Sequence, residues 1–149
     1  MGRRPGLRTD GSLDPGFQNR PPGRDRHGVA AAETAVCLPV IVLLVFGSIE
    51  ASSQIFLKQS LNVAAYEAVR TATAAGGDNA DANVRGRAIL DSRGVSGATV
   101  RFPNGDVSGV GRGDLFAVEV SAPTASNSPL LGQFLPDRVL TARVVMTRQ

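Results

Sequence analysis

The sequence predicts an α+β protein: a long N-terminal helix, apolar in its first half and amphipathic in its second, then a short second helix and a small antiparallel sheet of about three strands. Three observations predict it. Residues 29–49 form an apolar run whose single charged residue is Glu33. From Glu50 onward apolar residues recur at three- and four-residue intervals, the period of one helix face. Beyond Gly97 the period falls to two, in segments separated by Gly, Pro, Asn and Asp.

Residues 1–28 precede these elements. Their six arginines face Asp10, Asp14 and Asp25, and after Met1 only Leu7, Leu13 and Phe17 are large and apolar. So little apolar surface cannot offset the entropy of ordering, which predicts a disordered basic leader over 1–28. Its net +3 equals the formal charge of the whole chain, so the basicity is local. Without interleaved aromatics or a groove-reading element, it gives no case for nucleic acid as a partner. Beside an apolar span, the same charge predicts a cytoplasmic N-terminus and a C-terminal region across the membrane, periplasmic or extracellular.

Val29 to Ile49 is predicted to be a transmembrane helix. Its length of roughly 30 Å matches the hydrocarbon thickness, and it runs on into a helical pattern instead of ending at a signal-cleavage site. A carboxylate inside such a segment costs about 2.5–3.5 kcal/mol at the helix centre, so Glu33 calls for a partner. The lone cysteine, Cys37, lies in this run and reads as a small apolar residue with no disulfide to make. Pro39 removes a donor from the helix and is predicted to kink it.

The helix is predicted to continue as an amphipathic segment over 50–75. Leu57, Leu61, Ala64, Ala65, Ala68 and Ala72 form a small-residue stripe for packing, with Lys58, Gln59, Asn62, Glu67 and Arg70 on other faces. Glu50 reads as the outer boundary of the membrane segment, and Arg70 as a solvated position or an ion pair with Glu67. Gly76-Gly77-Asp78 ends the helix, leaving 76–149 as an α+β domain.

In that domain Asn79 to Ser92 predicts a second helix, with Ala80, Val84, Ala88 and Ile89 on one face and Gly94 past its end. Ala98 to Phe102, Leu115 to Ala122 and Val139 to Thr147 predict strands. Pro103-Asn104-Gly105-Asp106 is a turn, and Arg112-Gly113-Asp114 reads as the turn leading into the second strand. Phe116, Val118, Val120 and Ala122 define the apolar face of that strand, and Leu140, Ala142, Val144 and Met146 that of the third. Pro123 to Pro136 is a loop whose 129–135 stretch is apolar enough to pack on the sheet or a neighbour. Three short strands need a covering layer, and the 57–72 stripe is the available one.

The only histidine is His27, in the leader, and no nucleophile–base pair, metal-spaced cluster or phosphate-cradling loop occurs. The expectation is no catalysis, no metal, no cofactor and no small-molecule substrate.

Gly28-Val29-Ala30-Ala31-Ala32-Glu33-Thr34-Ala35, then Leu38-Pro39, then Phe46-Gly47-Ser48-Ile49-Glu50 resemble the N-terminal pattern of TadE-like proteins, minor pseudopilins of the tight-adherence (Flp) pilus system. Leu57-Lys58-Gln59-Ser60-Leu61, Ala64-Ala65 and Arg70 resemble its continuation. The resemblance implies a pilin-like precursor in the inner membrane, cut between Gly28 and Val29 by a prepilin peptidase on the cytoplasmic side. It further implies that Glu33, fifth in the mature chain, pairs with the free α-amine of a neighbouring subunit during assembly. The partners it implies are that peptidase, other pilin or pseudopilin subunits and the assembly platform. The competing reading is a single-pass anchored protein, unprocessed, whose exported domain binds a partner.

Overall fold

The computed structural model describes residues 1–2, 26–130, 132 and 136–149. Most of the predicted 1–28 leader, and Leu131 with Gln133 to Leu135 of the apolar loop, lie outside the described residues. The chain divides into two compact units, Met1–Leu38 and Pro39–Gln149. The fold is α+β: a long N-terminal apolar helix, a short second helix and a three-stranded antiparallel sheet.

In the first unit the described residues beyond Met1 and Gly2 belong to helix α1, which spans Arg26–Thr73 and so starts a little ahead of the predicted Val29. From Gly28 to Leu38 each of its residues is exposed.

The second unit takes up α1 at Pro39, which sits inside the helix. Exposure continues to Ile49, and the folded domain begins at Glu50. Leu57, Leu61, Ala64, Ala65, Ala68 and Ala72 are all buried in the core, joined by Val69, Ser60 and Thr73. The two hydroxyls bond back to the carbonyls of Phe56 and Val69, at 2.8 Å each, so their burial leaves no donor unmet. Gly76, at φ 79°, takes the left-handed conformation that lets the chain leave α1.

Helix α2, Asn79–Ser92, is capped at both ends by its own sequence. Asp78 Oδ1 accepts from Asp81 N at 2.7 Å, satisfying one free amide of the first turn. At the other end Gly94 N donates to Asp91 O and Val95 N to Leu90 O, the paired bonds of a Schellman motif. Its buried face is Ala82, Gly86 and Leu90, which corrects the face expected from Ala80, Val84 and Ala88. Val84 is 68% exposed, and Ile89 of that expected set is only partly buried. Close approach decides the orientation: a Cβ on Gly86 would stand 3.3 Å from Ala68 Cβ and 3.6 Å from Ala64 O. Small residues facing one another bring the backbones together, and a helix presenting Val84 would stand further off.

The sheet is a meander in the order β1-β2-β3, with β1 at Thr99–Arg101, β2 at Leu115–Pro123 and β3 at Val139–Thr147. β1 is shorter than the predicted 98–102, and β2 runs one residue further than predicted. The register pairs Val100 with Val120 and Val118 with Val144. Phe116, Val118, Val120, Ala122 and Ala142 reach the core directly, while Leu140, Val144 and Met146 pack against it. Phe116 also stacks on Phe102, with centroids 6.1 Å apart. Ala117, expected on the outer face, is nonetheless buried. Asn104 Oδ1, from the turn after β1, accepts from its amide at 3.1 Å and brings that connection against it.

The connections carry two short 3₁₀ turns, Val107–Gly109 and Ala125–Asn127, inside segments expected to be irregular. Asn79 secures the first, donating to Gly105 O at 3.0 Å and accepting from Val107 N at 3.1 Å. Asp106 caps it through Ser108 N at 2.8 Å. Hydrogen bonds from Ser108, first of the side chain and then of the backbone, hold the Asp106 carboxyl below its ordinary range, with Arg148 adding a smaller pull. Arg148 also donates to Ser108 O and Val110 O, and Gln149 N reaches Thr73 O at 3.1 Å. The chain's last residues thereby join the end of α1 to the loop before β2.

Candidate processing and assembly segment

The candidate site is the head of α1, where Gly28, Val29 and Glu33 occupy the first two turns. All three are exposed, Val29 at 59%. A side chain at Gly28 would meet nothing within 4 Å. The first turn has no acidic residue to offset the helix dipole. Its leading amides have no intrahelical acceptor. The Gly28–Val29 bond therefore sits in the part of α1 that is easiest to unwind.

Val29 and Glu33 are four residues apart and share a helix face. Around them the helix suits hydrocarbon. Thr34 Oγ1 donates to Ala30 O at 2.9 Å and Ser48 Oγ to Leu44 O at 2.7 Å, so these hydroxyls expose no unmet donor. None of the residues of the apolar stretch is buried against the rest of the chain. By length and composition α1 can cross a membrane, with Cys37 exposed on that stretch.

At the other end of the apolar stretch the structure gives Glu50 a role that its sequence position does not reveal. It is 6% exposed. Its Oε1 accepts from Gln54 Nε2 at 3.0 Å and its Oε2 from Ser128 Oγ at 2.8 Å. The first contact is local, at i, i+4. The second crosses 78 positions and has no local signature. Beside it lies a groove of about 670 Å³, bordered by Ile55, Lys58, Arg138 and Leu140. Lys58 crosses to β3, donating from Nζ to Thr141 O.

Further residues singled out in the sequence have structural settings. Glu67 lies 3.9 Å from Arg70 and 3.6 Å from Arg85, bridging α1 and α2. These half-exposed pairs contribute little stability. Gly113, at φ 86°, turns the chain between Arg112 and Asp114, and Asp114 N closes the turn on Gly111 O at 3.1 Å. Among the described residues no group of three or more His, Cys, Asp or Glu is placed to hold a metal.

Residues 28–70 match the family described as TadE-like protein. The match begins at the predicted cleavage glycine and extends along the buried stripe as far as Arg70, short of Ala72. No curated protein and no solved structure shows a significant match to the chain.

Proposed function

Proceeding from that TadE-like segment on a membrane-length helix, we propose that the protein is a membrane-anchored minor pseudopilin. In this reading a prepilin peptidase cuts it between Gly28 and Val29, and it takes part in assembling a tight-adherence pilus or a related secretion filament. It resides in the inner membrane with its N-terminus cytoplasmic and its α+β domain on the far side. The observation that carries the reading is the spacing Gly28 to Glu33 at the exposed head of an apolar helix, within the matched residues.

The chemistry follows from that position. A peptidase needs an extended substrate, and the first turn of α1 unwinds at the loss of few hydrogen bonds. Glycine at the scissile position presents the carbonyl without a side chain in the way. Cleavage removes the six leader arginines and creates an α-ammonium group at Val29, close to the positive end of the shortened helix. Glu33 then offsets a like-charged pole, and it pairs with the α-amine of a neighbouring subunit. Bringing the two ions together in hydrocarbon removes the cost of burying either one alone.

The test is the N-terminal sequence of the protein recovered from membranes of cells with and without the prepilin peptidase. A start at Val29 that depends on the peptidase supports the proposal, and Gly28→Leu then retains the leader. An intact N-terminus in both cell types overturns it in favour of an unprocessed single-pass protein with a partner-binding domain.

A further inference from the structure

The unbroken exposure of α1 ends at Glu50: Ile49 is 44% exposed, and Glu50, the next residue, is 6% and the first buried position of the helix. If the stretch up to Ile49 spans a membrane, the bilayer surface falls at this turn. Whatever the fold sets beside Glu50 then stands at headgroup depth. The hydrogen bond from Ser128 to Glu50 brings the loop after β2 to that level. Leu130, two residues on, is 42% exposed. Phe56, 49% exposed, stands about 9 Å along the helix axis from Glu50.

Two guanidinium groups flank the same level. Arg93 borders a cleft with Ser53, Phe56 and Ser128, and Arg138 borders the separate groove that includes Glu50 and Gln54. Both arginines are exposed, and neither forms an ion pair with another described residue. The neighbouring acids are engaged: Glu50 as described, and Asp137 by the amide of Ala125 at 2.9 Å.

Exposed Leu and Phe beside unpaired arginines, at the foot of a domain continuous with a spanning helix, match the layered chemistry of a bilayer surface. The apolar groups suit the acyl boundary, and planar guanidinium groups suit phosphate oxygens. We propose that this collar, Phe56 and Leu130 with Arg93 and Arg138, is a second membrane contact that seats the exported domain on lipid headgroups. The contact holds the domain against the bilayer before any partner engages it. The inference rests on the reading of α1 as the spanning segment.

The test uses the full chain with Cys37→Ser and one new cysteine carrying a nitrobenzoxadiazole label, Leu130→Cys or Arg112→Cys. Arg112 lies in the turn tied through Arg148 and Gln149 to the far end of α1. The proteins are reconstituted in phosphatidylcholine vesicles with and without phosphatidylglycerol, and lipids spin-labelled near the headgroup serve as quenchers. The expected result is several-fold stronger quenching at position 130 than at 112. The difference grows with phosphatidylglycerol, and it falls with added salt or with Arg93→Gln and Arg138→Gln. Equal, weak quenching at both positions in a chain that resists carbonate extraction overturns the collar alone. Strong quenching at 130 that both arginine changes leave untouched overturns the phosphate contact. A chain released by carbonate overturns the spanning reading, and this inference with it.

Discussion

Gly86 sets the distance between α1 and α2, and substituting it in steps measures that packing. A methyl at this position would stand 3.3 Å from Ala68 Cβ, 3.5 Å from Val100 Cγ2 and 3.6 Å from Ala64 O. The first of these is tighter than ordinary contact, and Ala68 Cβ is fixed to its helix, so one backbone must retreat by a few tenths of an ångström. Against that, alanine in a helix interior gains about 1 kcal/mol over glycine. Gly86→Ala is therefore expected to lie within about 1 kcal/mol of the unsubstituted chain. Gly86→Leu adds three further carbons between two backbones and β1, and overpacking of this kind costs about 1–3 kcal/mol or more. Ala68→Gly removes the nearest atom, so the Gly86→Ala, Ala68→Gly pair should show coupling of about 0.5–1 kcal/mol beyond the sum of the single changes. The assay is pulse proteolysis of the full chain in detergent across a urea series. Gly86→Leu as stable as the unsubstituted protein, or strict additivity of the pair, refutes the close approach of the two helices.

Glu50→Ala strips two donors of their acceptor and should cost about 1.5–3 kcal/mol, raising proteolysis first in the loop after β2; Glu50→Gln should recover part of it. Unchanged cleavage kinetics in that loop would argue against the clamp. Glu33→Ala should leave leader removal intact yet reduce incorporation into filaments, read by immunoblots of sheared material; normal incorporation counts against the pairing. Asp106 titrates below its ordinary value in the folded chain. Its contribution to stability is therefore present above the unfolded pKa and is lost as pH falls through the lower, folded value. Asp106→Asn should flatten that part of the acid unfolding curve, and an unaltered curve would remove Asp106 from the account.

The elements that could be read in the sequence are those whose signals are local. The 57–72 stripe repeats at helical period, α2 is bracketed by Asp78 and Gly94, and β3 alternates from Val139 to Thr147 without interruption. What escaped depends on partners distant in sequence. The buried face of α2 was masked because Gly86 carries no hydrophobicity, and its value lies in the Ala64 and Ala68 opposite. Ala117 alternates onto the outer face, yet Asn104 reaches it from another connection. Glu50 looks like a boundary charge until Ser128 arrives beside it. The head of α1 differs, since spacing along one helix carries the whole signal of Gly28, Val29 and Glu33.

Part of the core that closes over the α1 stripe is made long after it, since Ala142 of β3 belongs to the same buried cluster. Val139 follows Ala72 by 67 residues, roughly 3–13 s of synthesis at about 5–20 residues per second. Through that interval α2 is the cover nearest in sequence, with Gly86 against Ala64 and Ala68, and the sheet's share of the core is incomplete. Biogenesis therefore has a vulnerable window, closed only when the C-terminal strand arrives and Gln149 bonds to Thr73. A truncation of the final strand, though far from the head of α1, would leave the helix prone to aggregate or to be cleared by quality control.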